Sequence, residues 1–168
     1  YRFASRPDLC ADPLVMRNVG RLADYGWSFD LQVFGGQMDH ALVLVDACPR
    51  VSFVLQHAGM LEDGSEAGRK AWRSAMTRLA ERPNVFVKIS GFGTFIHRLD
   101  PGHIGWLVSE TVTMFGAARC MFGSNFPIEK LWTGFGELFN AHRAACSGLS
   151  GAENRAIFND TAARVYRL

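Results

Sequence analysis

No apolar run in this chain of 168 residues approaches the roughly 20 residues that cross a bilayer, and no secretory leader pattern is present. Lysine is scarce: of 18 basic residues only Lys70, Lys88 and Lys130 are lysines, and the 15 arginines are scattered without forming a stripe. With 16 acidic residues the net charge is +2, too small a field to point to nucleic acid or an anionic membrane surface. The four cysteines (Cys10, Cys48, Cys120, Cys146) make no C-x-x-C pair. They are expected to be reduced, buried thiols of a cytoplasmic protein, neither disulfides nor a zinc cluster. There is no low-complexity tract. No G-x-G-x-x-G turn follows the first predicted strand, which argues against a nucleotide-binding or flavodoxin-like domain.

What is present is a recurring unit. Apolar runs, the last three ending abruptly in a polar residue, cover 27–33 (WSFDLQV), 51–57 (VSFVLQH), 84–90 (NVFVKIS) and 119–125 (RCMFGSN). Stretches of helical periodicity separate them. Strands alternating with helices imply βαβ units and a parallel sheet. Chemistry in such sheets sits at the carboxyl ends of the strands, where His57, Ser90 and Asn125 fall.

Helix signals support the same order. Asp12-Pro13 and Asp100-Pro101 each supply an N-cap followed by Pro at the first helical position. Ile104, Leu107, Val108, Thr111, Val112 and Phe115 form the clearest stripe, and Gly116 ends it. Further stripes lie over Val15–Ala23, Met38–Val45 and Ala71–Leu79. Leu131 to Ala145 is expected to be helical, and Ser150-x-x-Glu153 opens the last helix with a capping box.

Strand side chains alternate between faces. Ser28, Asp30 and Gln32 share one parity of the first strand, and Lys88 and Ser90 one parity of the third. An open sheet covered on both faces would want both parities apolar, so the pattern favours a barrel with a polar mouth. Asp30 and Lys88 also fit a buried ion pair that only fixes register. Likewise, His57 reads locally as a core histidine and Asn125 as turn chemistry, and Gly91 and Gly93 mark a tight turn more readily than a phosphate cradle.

Taken in order, FDLQV (Phe29 to Val33), FVLQHAG (Phe53 to Gly59), the W-R-x-A-M-x-x-L-A helix from Trp72, PNVFVKISGFG (Pro83 to Gly93), MFGSNFP (Met121 to Pro127) and the tail IFNDTAARVYRL resemble the amidohydrolase-related family, in its lactonase-like branch of TIM-barrel hydrolases. The resemblance covers nearly the whole chain. It implies that the four strands are the fifth to eighth of a (β/α)8 barrel. The family's first strand carries an H-x-H pair that is absent here, and the chain starts abruptly at Tyr1. Residues 1–168 are therefore expected to be the C-terminal portion of one barrel domain of roughly twice this length. A lone half barrel would expose two strand edges and should be poorly stable or self-associate, as a homo-oligomer for example.

The resemblance also implies roles. His57 stands where the family has a histidine at the end of strand six, to bind a metal or polarise a carbonyl. Asn125 ends strand eight, where many members have an aspartate, and Gln32 ends strand five, where metal-rich members have a histidine. An amide cannot act as a general base and is a poor metal ligand. A divalent ion (Zn or Mn) is thus expected to be weakly bound or dispensable, with His57 as its one ligand here. The expected reaction is opening of a lactone or similar cyclic ester of a small sugar or dicarboxylic acid by an oriented water. Catalysis would fall to His57 and Asn125, and substrate contacts to Gln32, Lys88, Ser90 and Arg98. Alternatives are a metal-dependent non-oxidative decarboxylase of the same family and a non-catalytic barrel that binds a small acid.

Overall fold

The computed structural model describes residues 7–168; Tyr1, where the sequence begins abruptly, lies outside them. Four short strands appear where the four apolar runs were read: β1 (Ser28–Leu31), β2 (Ser52–Leu55), β3 (Val85–Ile89) and β4 (Cys120–Phe122). They form a four-stranded sheet in chain order. Each strand is shorter than its run, and Gln32, Gln56, Ser90 and Gly123 already lie beyond the ladder.

Contacts divide the chain into two compact units, residues 1–86 and 87–168. In the first, β1 and β2 pair in parallel with Phe29 opposite Phe53 and Leu31 opposite Leu55. The N–H of Phe53 donates to the carbonyl of Asn84 at the start of β3, 2.8 Å away. Helices α1 (Pro13–Gly20), α2 (Met38–Ala47) and α3 (Glu66–Ala80) complete this unit. Asp12 caps α1 through a 2.8 Å bond from the N–H of Leu14, with Pro13 at the first helical position, as the Asp-Pro pair implies. Its stripe then tightens into a 3-10 turn over Arg21–Tyr25, and Gly26, at φ 63°, ends it in the left-handed region. The core holds Leu31, Phe53, Leu55, Leu44, Met76 and Leu79, all fully buried.

In the second unit β3 pairs in parallel with β4, Val87 opposite Cys120 and Ile89 opposite Phe122. Burial along β3 alternates, with Val85, Val87 and Ile89 buried and Phe86 and Lys88 only partly so, the parity read from sequence. Asp30 on β1 is exposed. Helix α4 (Pro101–Phe115) buries Ile104, Leu107, Val108, Thr111 and Phe115, and Asp100 caps it by accepting the N–H of His103 at 3.0 Å. The helix expected from Leu131 starts later, as α5 (Phe135–Ala145). Residues Ile128–Leu131 form a separate 3-10 turn. The chain ends in α6 (Gly151–Arg155), opened by the Ser150/Glu153 capping box, a π turn over Ala156–Asp160, and α7 (Thr161–Tyr166).

All four cysteines are buried free thiols. Burial pushes each of them up, Cys120 to about 12. No helix among the described residues is long and apolar enough to cross a membrane.

Candidate active site

In the first unit the residues of interest follow β1 and β2. Gln32 comes directly after β1 and is half-buried. Beyond β2 the backbone does something the sequence did not announce. His57 (φ 56°), Ala58 (φ 46°), Gly59 (φ 70°) and Met60 (φ 53°) all adopt the left-handed conformation in succession. Each non-glycine residue held there costs roughly 1–2 kcal/mol. Such a turn persists only where the surroundings over-determine it, and such places are often functional.

The surroundings do so here. The indole N–H of Trp72, on α3, donates to the carbonyl of Ala58 at 2.8 Å, and the N–H of Met60 donates to that of His57 at 2.9 Å. A β-carbon on Gly59 would stand 2.2 Å from Met38 Cε and 3.1 Å from Met76 Sδ, so glycine lets the turn settle onto α2 and α3 without displacing either methionine. Gln56, Ala58, Gly59 and Met60 are buried. His57 alone among its neighbours keeps partial exposure. A strained, anchored turn presents one imidazole at the carboxyl end of a strand.

In the second unit Ser90, just past β3, is buried, whereas Arg98 lies further along the loop and its side chain is 66% exposed. Arg98 pairs with the carboxylate of Asp100 at 3.1 Å. The N–H of His103, and after it the Arg98 guanidinium, holds the Asp100 carboxyl below its ordinary range. Lys88 lies on β3 with its ammonium 5.2 Å from the centre of the Tyr166 ring. Its stem would stand 3.0 Å from a β-carbon at Gly123, so Gly123 leaves room for it.

Asn125 follows β4 at φ 54°, a conformation asparagine tolerates better than most residues. Its Nδ2 donates to Glu129 Oε1 at 3.3 Å and reaches Thr94 Oγ1 at 3.5 Å, and the Thr94 hydroxyl donates to the same Glu129 oxygen at 3.1 Å. The main chain closes the loop, since the N–H of Glu129 donates to the carbonyl of Asn125 at 3.1 Å. Glu129 is only 1% exposed. Sequence reasoning missed it, although an acidic residue four positions after Asn125 inside an aromatic-rich segment was the available signal. Gly93 is explained here too: a β-carbon on it would fall 2.5 Å from Glu129 Oε2. The loops after β3 and β4 also meet through His97 and Trp132, stacked with ring centres 4.5 Å apart.

Nearby, His142 is buried beneath Phe92 and Phe122. Its Nδ1 lies 2.9 Å from the Leu138 carbonyl, and Nε2 has no partner. Burial holds this imidazole below its usual value, partly offset by the Leu138 bond. It is a structural histidine.

A divalent ion would find one imidazole, His57, at the strand ends described. Among the described residues no three His, Cys, Asp or Glu side chains converge, and Asn125 and Gln32 offer amides. The donor set in this chain does not by itself fit a zinc or manganese ion.

Comparison with known proteins identifies the family. A family model described as Amidohydrolase matches residues 3–168. The chain is 37% identical over 166 residues to the uncharacterised protein y4mH of Sinorhizobium fredii, covering 99% of this chain and 56% of that one. It is 32% identical over 163 residues to an L-fucono-1,5-lactonase of Burkholderia multivorans, covering 90% and 55%. A solved amidohydrolase from Burkholderia multivorans with bound zinc superimposes with a TM-score of 0.91 at 28% identity, over 96% of this chain and 60% of that one. The chain thus spans a little over half the length of the curated relatives it matches.

Proposed function

We propose, from the premise that this chain belongs to the amidohydrolase family and folds as the C-terminal half of a (β/α)8 barrel, that it is part of a hydrolase opening a lactone of a small sugar acid or dicarboxylic acid. The observation that carries this reading is the left-handed turn that anchors His57 at the end of β2. Residues 1–168 are then the C-terminal portion of a single catalytic domain. The rest of the polypeptide supplies the remaining strands and any further metal ligands.

His57 polarises the lactone carbonyl, favouring the charge that develops on its oxygen when water attacks. Asn125 accepts a hydrogen bond from that water and orients it; an amide cannot take the proton, so proton removal falls to a group outside this chain. A cyclic ester suits such a site because it needs less activation than an amide. Gln32, Lys88 and Ser90 contact the substrate, while Arg98 contributes only by leaving its pair with Asp100. The protein acts in the cytoplasm, and closure of the barrel covers its strand edges.

The test is hydrolysis of L-fucono-1,5-lactone and a panel of related aldonolactones by the complete polypeptide carrying this chain, followed by proton release. His57→Asn should lower kcat/KM by roughly a hundredfold or more. No lactone opened above its spontaneous rate, or an unaffected His57→Asn variant, would refute the reading. A second reading, a barrel that binds a small acid without turning it over, is favoured by the neutral amides of Gln32 and Asn125. It would appear as lactone binding without hydrolysis.

A further inference from the structure

Glu129 is the one buried carboxylate among the described residues. No Lys, Arg or His forms an ion pair with it there; its Oε1 is met by the Asn125 amide and the Thr94 hydroxyl. A buried carboxylate is costly unless hydrogen-bonded, and the chain makes further provision for it. Gly93 is bare where a β-carbon would strike Oε2, and a main-chain bond from Glu129 to the Asn125 carbonyl sets the spacing between the two side chains.

The pairing removes an ambiguity. An amide can face either way, and its orientation follows from its neighbours. Turned over, Asn125 would set its own Oδ1 against the Glu129 carboxylate, oxygen to oxygen. Only one orientation puts a donor there. Oδ1 is then left with no donor among the described residues.

We infer that Glu129 is a positioning residue, whose buried carboxylate fixes the Asn125 amide so that the carboxyl end of β4 presents an oriented, uncharged acceptor. The carboxylate lies behind the amide. The β4 end therefore offers an acceptor oxygen that carries no charge of its own to a water or a substrate hydroxyl. That consequence for catalysis rests on the hydrolase reading above; the orientation of the amide does not.

The experiment uses the complete polypeptide carrying this chain, labelled with ¹⁵N-asparagine, the Asn125 side-chain signal being assigned by its loss in Asn125→Asp. In the wild type the Asn125 amide protons should exchange with water about tenfold more slowly than in Glu129→Ala, the weight of one buried hydrogen bond. The exchanged pair Asn125→Asp/Glu129→Gln keeps a donor facing an acceptor but turns the carboxylate outward. Its kcat/KM for the lactone opened fastest by the wild type should gain an acidic limb in the carboxylate range that the wild type lacks. Fast exchange in the wild type, unchanged in Glu129→Ala, overturns the inference whatever the protein hydrolyses. Slow exchange with no lactone opened supports the fixed amide and refutes the lactonase reading alone. Slow exchange together with an active exchanged pair of wild-type pH profile overturns the positioning role and leaves a structural hydrogen bond.

Discussion

Replacing Trp72 by phenylalanine should unsettle the turn that carries His57 and do more harm to turnover than to substrate binding. Trp72 is 2% exposed and its indole N–H is bonded to the Ala58 carbonyl at 2.8 Å. Phenylalanine fills much of the same space but has no donor. Leaving a buried carbonyl unpaired costs about 1–3 kcal/mol, and the void left by the missing ring adds about 1 kcal/mol. The loss of roughly 2–4 kcal/mol should appear as a lower midpoint in urea with an unchanged slope. Because the left-handed turn is strained, the freed carbonyl lets Ala58 relax and His57 drift. A shift of about 1 Å in a reacting group can cost about a hundredfold in rate. For the lactone opened fastest by the wild type, kcat should therefore fall by about that factor while KM changes little. A Trp72→Phe variant within about 0.5 kcal/mol of wild type, the range of surface substitutions, and with unchanged kcat, would refute the claim that Trp72 holds the turn.

Gly93→Ala should destabilise the protein by about 1–3 kcal/mol through overpacking. The new methyl meets Glu129 Oε2 at 2.5 Å and the Arg98 carbonyl at 3.2 Å; a neutral effect in chemical denaturation would show that the carboxylate moves aside freely. His142 predicts a pH effect of definite sign. Burial holds the folded imidazole below its ordinary value of about 6.5, so below that pH the unfolded chain takes up the proton first. Stability should be complete above about pH 6.5 and decline as pH falls toward the folded value. Melting temperatures measured from pH 7.5 to 5 should show that decline, and His142→Leu should flatten it; an equal slope in both proteins would contradict the assignment.

The strands were legible because the apolar runs survive as β1 to β4, and because the parity of Lys88 against Val87 and Ile89 is a purely local signal. Capping was legible for the same reason: Asp12, Asp100 and Ser150 each bond N–H groups two or three residues away. The turn at His57–Met60 was not. Its shape is imposed by Trp72, 14 positions further on, and by Met38 and Met76, so nothing within QHAGM itself dictates left-handed backbone. Glu129 escaped for a similar reason. In I-E-K-L it reads as an ordinary solvated acid, and its burial follows from Gly93 and Thr94 on another loop. The helix read from Leu131 begins at Phe135 because Gly134 takes the cap position with Glu137 accepting its N–H.

The buried thiols make each half of the chain its own clock. Cys10 and Cys48 belong to the first unit and Cys120 and Cys146 to the second. Only a thiolate reacts with an alkylating reagent, and burial keeps all four protonated and enclosed. The rate at which each cysteine is alkylated in native buffer therefore counts how often its surroundings open. Read cysteine by cysteine in a mass spectrometer, the two pairs time the opening of residues 1–86 and of residues 87–168 separately, with no added probe.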